Sequence, residues 1–173
     1  MCAVRVGRED PGRPFATKSV LKAQNDTRCE TSAQPHQWFS TRTHQLVTRL
    51  MPGTDLKNAL QNVVSTHQLK AAVLVTCVGS LKVAHLRLAG ATSTQTFKGP
   101  FEIISLVGTL SPDGVHLHLS ISDEEGSVFG GHLLEGNIIH TTAEIALAIY
   151  DDIVFTRPKD PDTGYGELKV QEA

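Results

Sequence analysis

The chain has 173 residues, with 16 Lys/Arg against 18 Asp/Glu and eight His, which is room for one domain with its own core and an appended segment. Residues 1–37 carry six Lys/Arg and four Asp/Glu, which leaves ten against fourteen, a net −4, for residues 38–173. Neutralising phosphates is the main source of non-specific DNA affinity, so that balance argues against direct DNA binding without a partner.

The cysteines Cys2, Cys29 and Cys77 share no CxxC spacing, and an odd count of this kind does not suggest a disulfide framework. No apolar run approaches the ~20 residues of a membrane helix, and the opening MCAVRVGREDPGRP lacks the apolar centre of a signal peptide. The expected compartment is intracellular, cytoplasmic or nuclear. An organelle-targeting reading of the basic excess in residues 1–37 is weighed down by the acids among them. These residues show no sustained apolar period and read as a disordered tail. "GRP" at 12–14 matches the centre of an AT-hook, but "PGRP" lacks its first arginine.

From Trp38 the pattern becomes that of a single folded domain, residues 38–173. "HQLVTRLM" (44–51) alternates as a strand, and "PGTD" supplies a turn and an N-cap at Thr54 or Asp55. Leu56, Ala59, Leu60, Val63 and Val64 then recur at helical spacing, predicting a helix over 55–67 with one face on a sheet. "KAAVLVTCV" (70–78) is a β-branched apolar run suited to a strand covered on both faces. "GSLKVAHLRLAG" is expected to pass through a tight turn into an alternating partner strand. "FEIISLVGTLS" leads through "SPDG" into "VHLHLSIS", and "DEEGS" leads into "VFGGHLLEGNIIH", as sequential hairpins. "AEIALAIY" (143–150) alternates as a strand, a short strand covers 153–156, and "DPDTGYGELKV" is a turn followed by a closing edge strand. The predicted architecture is α+β, a large and mainly antiparallel sheet with helix packed on it.

Taken in order, "LMPGTDLKNAL", "AAVLVTCVGSLKVAHLRLAG", "GPFEIISLVGTLSPDGVHLHLSISDEEGSVFGGHLLEG" and "TTAEIALA" resemble the PPC domain (plants and prokaryotes conserved), also called domain of unknown function 296. The similarity runs over about residues 42–170. It implies a sheet-rich homotrimer that, in plants, follows AT-hooks in nuclear proteins and contacts transcription factors through a "GRFEIL"-like hexapeptide. Here the hexapeptide is Gly99, Pro100, Phe101, Glu102, Ile103 and Ile104, with proline at the place of the arginine. The resemblance is to the stand-alone type.

Side chains alternate faces along a strand. Val115, Leu117, Leu119 and Ile121 therefore form a core face, while His116, His118, Ser120 and Ser122 share the other. A His-x-His pair offers two imidazoles to a transition metal, His132 is the candidate third ligand, and zinc is the expected ion. Gly130 and Gly131 are expected to leave room for an ion or substrate beside the backbone. The alternative is the polar face of an ordinary hairpin. Glu102 and Glu135 are the nearest candidate carboxylates, Glu102 being the candidate catalytic group. His44, His67, His85 and His140 read as surface or satisfied polar residues, and Cys77 as a small buried hydrophobe. The glycines of "VGSL" and "FGGHLLEG" do not form a phosphate-binding loop. Two functions follow: an assembly and interaction module, or a metal-dependent small-molecule-binding protein or enzyme.

Overall fold

A computed structural model describes residues 38–90 and 92–173. The expected tail over 1–37, with its AT-hook-like tripeptide, lies outside the described residues. The chain runs β1 (Thr43–Leu50), α1 (Leu56–Thr66), β2 (Ala72–Arg87), β3 (Thr94–Ser111), β4 (Gly114–Ser122), β5 (Val128–Leu133), β6 (Ile138–Tyr150), β7 (Ile153–Thr156) and β8 (Lys169–Glu172). Six strands form one sheet in the order β1-β6-β2-β3-β4-β5, and β7 and β8 form a second, two-stranded sheet. All the paired strands are antiparallel.

The helix forms where the apolar spacing places it, and Asp55 is its N-cap. One Asp55 carboxylate oxygen accepts from the Asn58 N–H at 3.0 Å, satisfying a donor that the first turn cannot. The other accepts from the Gly136 N–H at 2.6 Å, so the same side chain ties the helix start to the β5–β6 connection. Leu56, Leu60 and Val64, at i, i+4 and i+8, are the buried stripe, and they pack with Leu117, Leu119, Ile121, Ile139 and Ile145 in the main core. α1 is the one α-helix among the described residues, so the helices expected on the sheet reduce to one.

The tight turn expected at Gly79–Ser80 does not form. β2 continues without a break from Ala72 to Arg87, and its pairing with β6 shifts register between Gly79 and Leu81. Gly79 marks a close approach instead, because a Cβ there would overlap the backbone carbonyl of Thr142 on β6. The turn comes later, at Leu88–Ser93, where the Leu88 N–H donates to the Ser93 carbonyl at 3.1 Å.

The expectation that residues 70–78 are covered on both faces is also corrected. Within one chain, Val75 and Val78 are 55% and 57% exposed.

Near its end β2 changes neighbours. Residues Ala72–Val83 pair with β6, whereas Leu86 and Arg87 pair with Leu133 and His132 of β5. Strands β2 to β5 therefore curl back on themselves, with Phe97, Phe101 and Phe129 packed inside the curl at ring-centroid distances of 4.6 Å (Phe97–Phe129) and 5.6 Å (Phe101–Phe129). On the opposite side, β7 and β8 bury Ile153 and Phe155 against Ala71, Val73 and Tyr150. Asp152, beside β7, accepts from the Thr41 and Arg42 N–H groups at 2.7 and 3.2 Å and from the Ser40 hydroxyl. These bonds hold its carboxyl well below the usual carboxylate range, the Ser40 contact having the largest effect. No helix among the described residues is long and apolar enough to cross a membrane.

Candidate metal centre

Leu117, Leu119 and Ile121 are buried on β4, and the alternate positions face away from the core. His116 and His118 are thus on one face, one turn of the pleat apart. The hairpin that brings His132 to them is set by Asp123, whose carboxylate accepts from the Glu125 and Ser127 N–H groups at 3.1 and 2.8 Å. With that turn closed, β5 pairs in a register that sets His132 directly opposite His118. Ring centroids are 5.1 Å apart for His116–His118, 5.1 Å for His116–His132 and 5.6 Å for His118–His132. Each ring offers a nitrogen such that all three lie within 4.8 Å of one another.

Gly130 and Gly131 serve the strands before they serve any ligand. A Cβ on Gly130 would overlap the Leu119 carbonyl, and one on Gly131 would lie 2.6 Å from the Arg87 carbonyl. Only glycines let β5 sit this close to β4 on one side and β2 on the other. They also help line an open cleft of about 450 Å³ with Arg87, Leu88, His118 and His132.

Two arginines flank the trio, and sequence pattern did not single out either. Arg87 is the register partner of His132. Arg157, just beyond β7, brings Nη1 to 3.4 Å from Nδ1 of His116 and donates to the Gly166 carbonyl at 3.2 Å and to the Thr109 hydroxyl. Burial, reinforced by the Arg87 charge, pushes His132 down to about 4. His116 is lowered in the same way, with Arg157 as the main neighbouring charge. Both rings are neutral near pH 7, which is the form that binds a metal ion. Among the described residues, the buried side-chain polar atoms without a hydrogen-bond partner are His132 Nδ1 and Arg157 Nε, and both are in this cluster. Buried polar atoms are otherwise almost always paired.

The candidate carboxylates do not join the trio. Glu102 is exposed on β3 and pairs with Ser122, four residues along β4 from His118 and so roughly 13 Å away at strand spacing. Glu135 is exposed, and its contribution is the backbone carbonyl, 2.7 Å from His85 Nδ1. Glu167 is the acid whose charge reaches His116; it accepts from the Thr163 hydroxyl at 3.0 Å. His44 contacts Asp151 at 3.0 Å. Cys77 is buried, which pushes its thiol up to about 12 and leaves it an unreactive core residue. In the hexapeptide, Phe101 and Ile103 are buried, whereas Glu102 and Ile104 point outward.

The model of the Plants and Prokaryotes Conserved (PCC) domain matches residues 39–151. The chain belongs to this family. A structure of a hypothetical protein from Salmonella enterica superposes with a TM-score of 0.76 at 38% identity, covering 79% of this chain and 99% of that one. A metal-containing protein from Archaeoglobus fulgidus has the same fold, with a TM-score of 0.60 at 21% identity over 79% of this chain and 99% of that one. Among curated proteins, the bifunctional protein GlmU of a Synechococcus strain is 47% identical over 123 residues, 71% of this chain. The match spans only 20% of GlmU, so this chain is similar to one part of that protein. The family match ends at residue 151, before Arg157, Tyr165 and Glu167.

Proposed function

We propose that this PCC domain is a zinc-binding protein whose ligands are His116, His118 and His132. The observation that carries the reading is the approach of three ring nitrogens to within 4.8 Å of one another. Tetrahedral zinc at about 2.0–2.1 Å from each nitrogen needs separations of roughly 3.3 Å, a gap that small ring rotations close. The unpaired Nδ1 of buried His132 and the neutral state of His116 and His132 support the same reading. So does the fold shared with the metal-containing Archaeoglobus protein. Three protein ligands leave a coordination position for water or a small molecule, and a zinc ion so held supplies Lewis acidity and an acidified water. The test is the metal content of protein purified without a histidine tag: stoichiometric zinc in the wild type and none in His118→Ala supports the site, and equal content in both overturns it.

A second reading concerns assembly. Val47, Val75, Val78, Ile104 and Val107 are exposed at 75, 55, 57, 55 and 53%, at positions of the three strands β1, β2 and β3 that do not face the core. An apolar surface of this kind marks an interface, and we infer that copies of the chain associate through it as the homotrimer that the family resemblance implies. Other protein partners would meet Glu102 and Ile104 rather than Phe101 and Ile103. A monomer by size-exclusion chromatography with light scattering would remove this reading. The activities of GlmU are not carried over, because the similarity covers a fifth of it.

A further inference from the structure

The cluster is electrostatically unfinished even with a metal in place. Arg87 approaches it from the β2 side, as the pair of His132, and lines the cleft with His118 and His132. Its guanidinium carbon is 6.0 Å from the Tyr165 ring centroid, a cation–π contact that leaves the N–H edge available. Arg157 approaches from the other side, against His116. Neither arginine has a carboxylate within ion-pair distance among the described residues.

The surrounding charges do not cancel them. Glu167 and Asp113 act on Arg157 at a distance, with Asp113 accepting from the Arg157 backbone N–H rather than its guanidinium. Lys57 adds a further positive charge on the His132 side. A divalent ion between two guanidinium groups would raise the positive charge again. Like charges gathered around one partly desolvated cluster are costly, and a counter-charge offsets that cost.

We propose that the histidine cluster binds a small oxyanion, a carboxylate or phosphate group, with one oxygen in the open metal position and the others held by Arg87 from the cleft and by Arg157 from the His116 side. The proposal rests on the metal reading above. Guanidinium groups suit it because their planar donors match both kinds of oxyanion. Arg157 Nε, buried without a partner, is a donor that an anion-bound arrangement would satisfy by a small rotation of the side chain. The segment 157–168, which lies beyond the family match, supplies Arg157 and Tyr165 to the proposed anion site.

The test uses the full chain loaded with cobalt(II), whose visible absorption reports ligands entering the coordination sphere. Acetate and inorganic phosphate are titrated separately, and the one that changes the spectrum identifies the source of the oxyanion. Arg157→Met and Arg87→Met should each keep stoichiometric cobalt and weaken the anion at least tenfold. Arg87 sits at the rim, so its variant carries the test if Arg157→Met fails to fold. Cobalt uptake with no spectral response to either anion, or with unchanged affinity in a folded arginine variant, overturns the anion proposal and leaves the metal site standing. Failure of the wild type to take up cobalt overturns the metal reading, and this proposal with it.

Discussion

His118 and His132 face each other across the β4–β5 pair, with ring centroids 5.6 Å apart, and His118 is exposed while His132 is partly buried. The two can therefore be separated experimentally. An ion that binds only the folded chain stabilises it by about 2.7 kcal/mol at a hundred times its dissociation constant. That corresponds to a rise in Tm on the order of 10 °C for a domain of this size. Zinc should raise the Tm of the wild type by about this much and leave that of His118→Ala unchanged. In the presence of chelator the two proteins should melt within about 2 °C of each other, since surface substitutions usually cost under ~0.5 kcal/mol. A large difference in chelator would mean that His118 has a structural role.

Acid should destabilise the metal-free protein through His132. Its folded value, about 4, lies below the ordinary 6.5, so between those values the unfolded chain binds more protons than the folded one. Stability present above pH 6.5 is lost as pH falls through that window. His116 shifts the same way. Thermal melts with chelator at pH 7.5 and 5 should show the loss, and His132→Gln should flatten it. An unchanged pH slope in the variant would count against the depressed value.

Asp55→Ala removes both the helix cap and the bond to Gly136. The cap alone is worth about 1 kcal/mol, and the second, part-buried carboxylate bond brings the expected loss to about 2–3 kcal/mol. Denaturant titration against Thr54→Ala, which should cost far less, checks it. Equal losses would show that Thr54 shares the capping role.

Gly131→Ala places a methyl group against the Arg87 carbonyl. The expected outcome is loss of the β2–β5 pairing and of zinc together, read by melting temperature and metal content on the same sample. Retention of both would mean that β5 can shift without disturbing the trio.

Direct DNA binding should be negligible at physiological salt, because residues 38–173 sum to −4. Fluorescence anisotropy on an AT-rich duplex at about 150 mM salt should give no dissociation constant below about 1 µM. Tighter binding would reveal a basic patch that the net charge hides.

Local pattern was a good guide where one physical rule dominated. The period of two in Ile145, Leu147 and Ile149 places them in β6, all three buried, and the helix stripe and the His116/His118 face follow from spacing in the same way. Gly79 was misread because a glycine at a turn and one at a close backbone approach look alike in sequence. Only the position of Thr142, some sixty residues away, distinguishes them. Arg87 and Arg157 were missed because their role depends on pairings between distant segments. An arginine alternating with leucines, as in "HLRL", ordinarily marks a solvated strand face.

The strand order β1-β6-β2 sets a schedule for the nascent chain. The first strand has no neighbour until roughly a hundred more residues have been made, since Leu50 pairs with Ala143 and Thr43 with Tyr150. At a synthesis rate of about 5–20 residues per second, β1 waits roughly 5–20 s beside the apolar β2 with the slot between them empty. During that interval the exposed valines and the unpaired strand edges are available to any chaperone, or to another nascent copy on the same message.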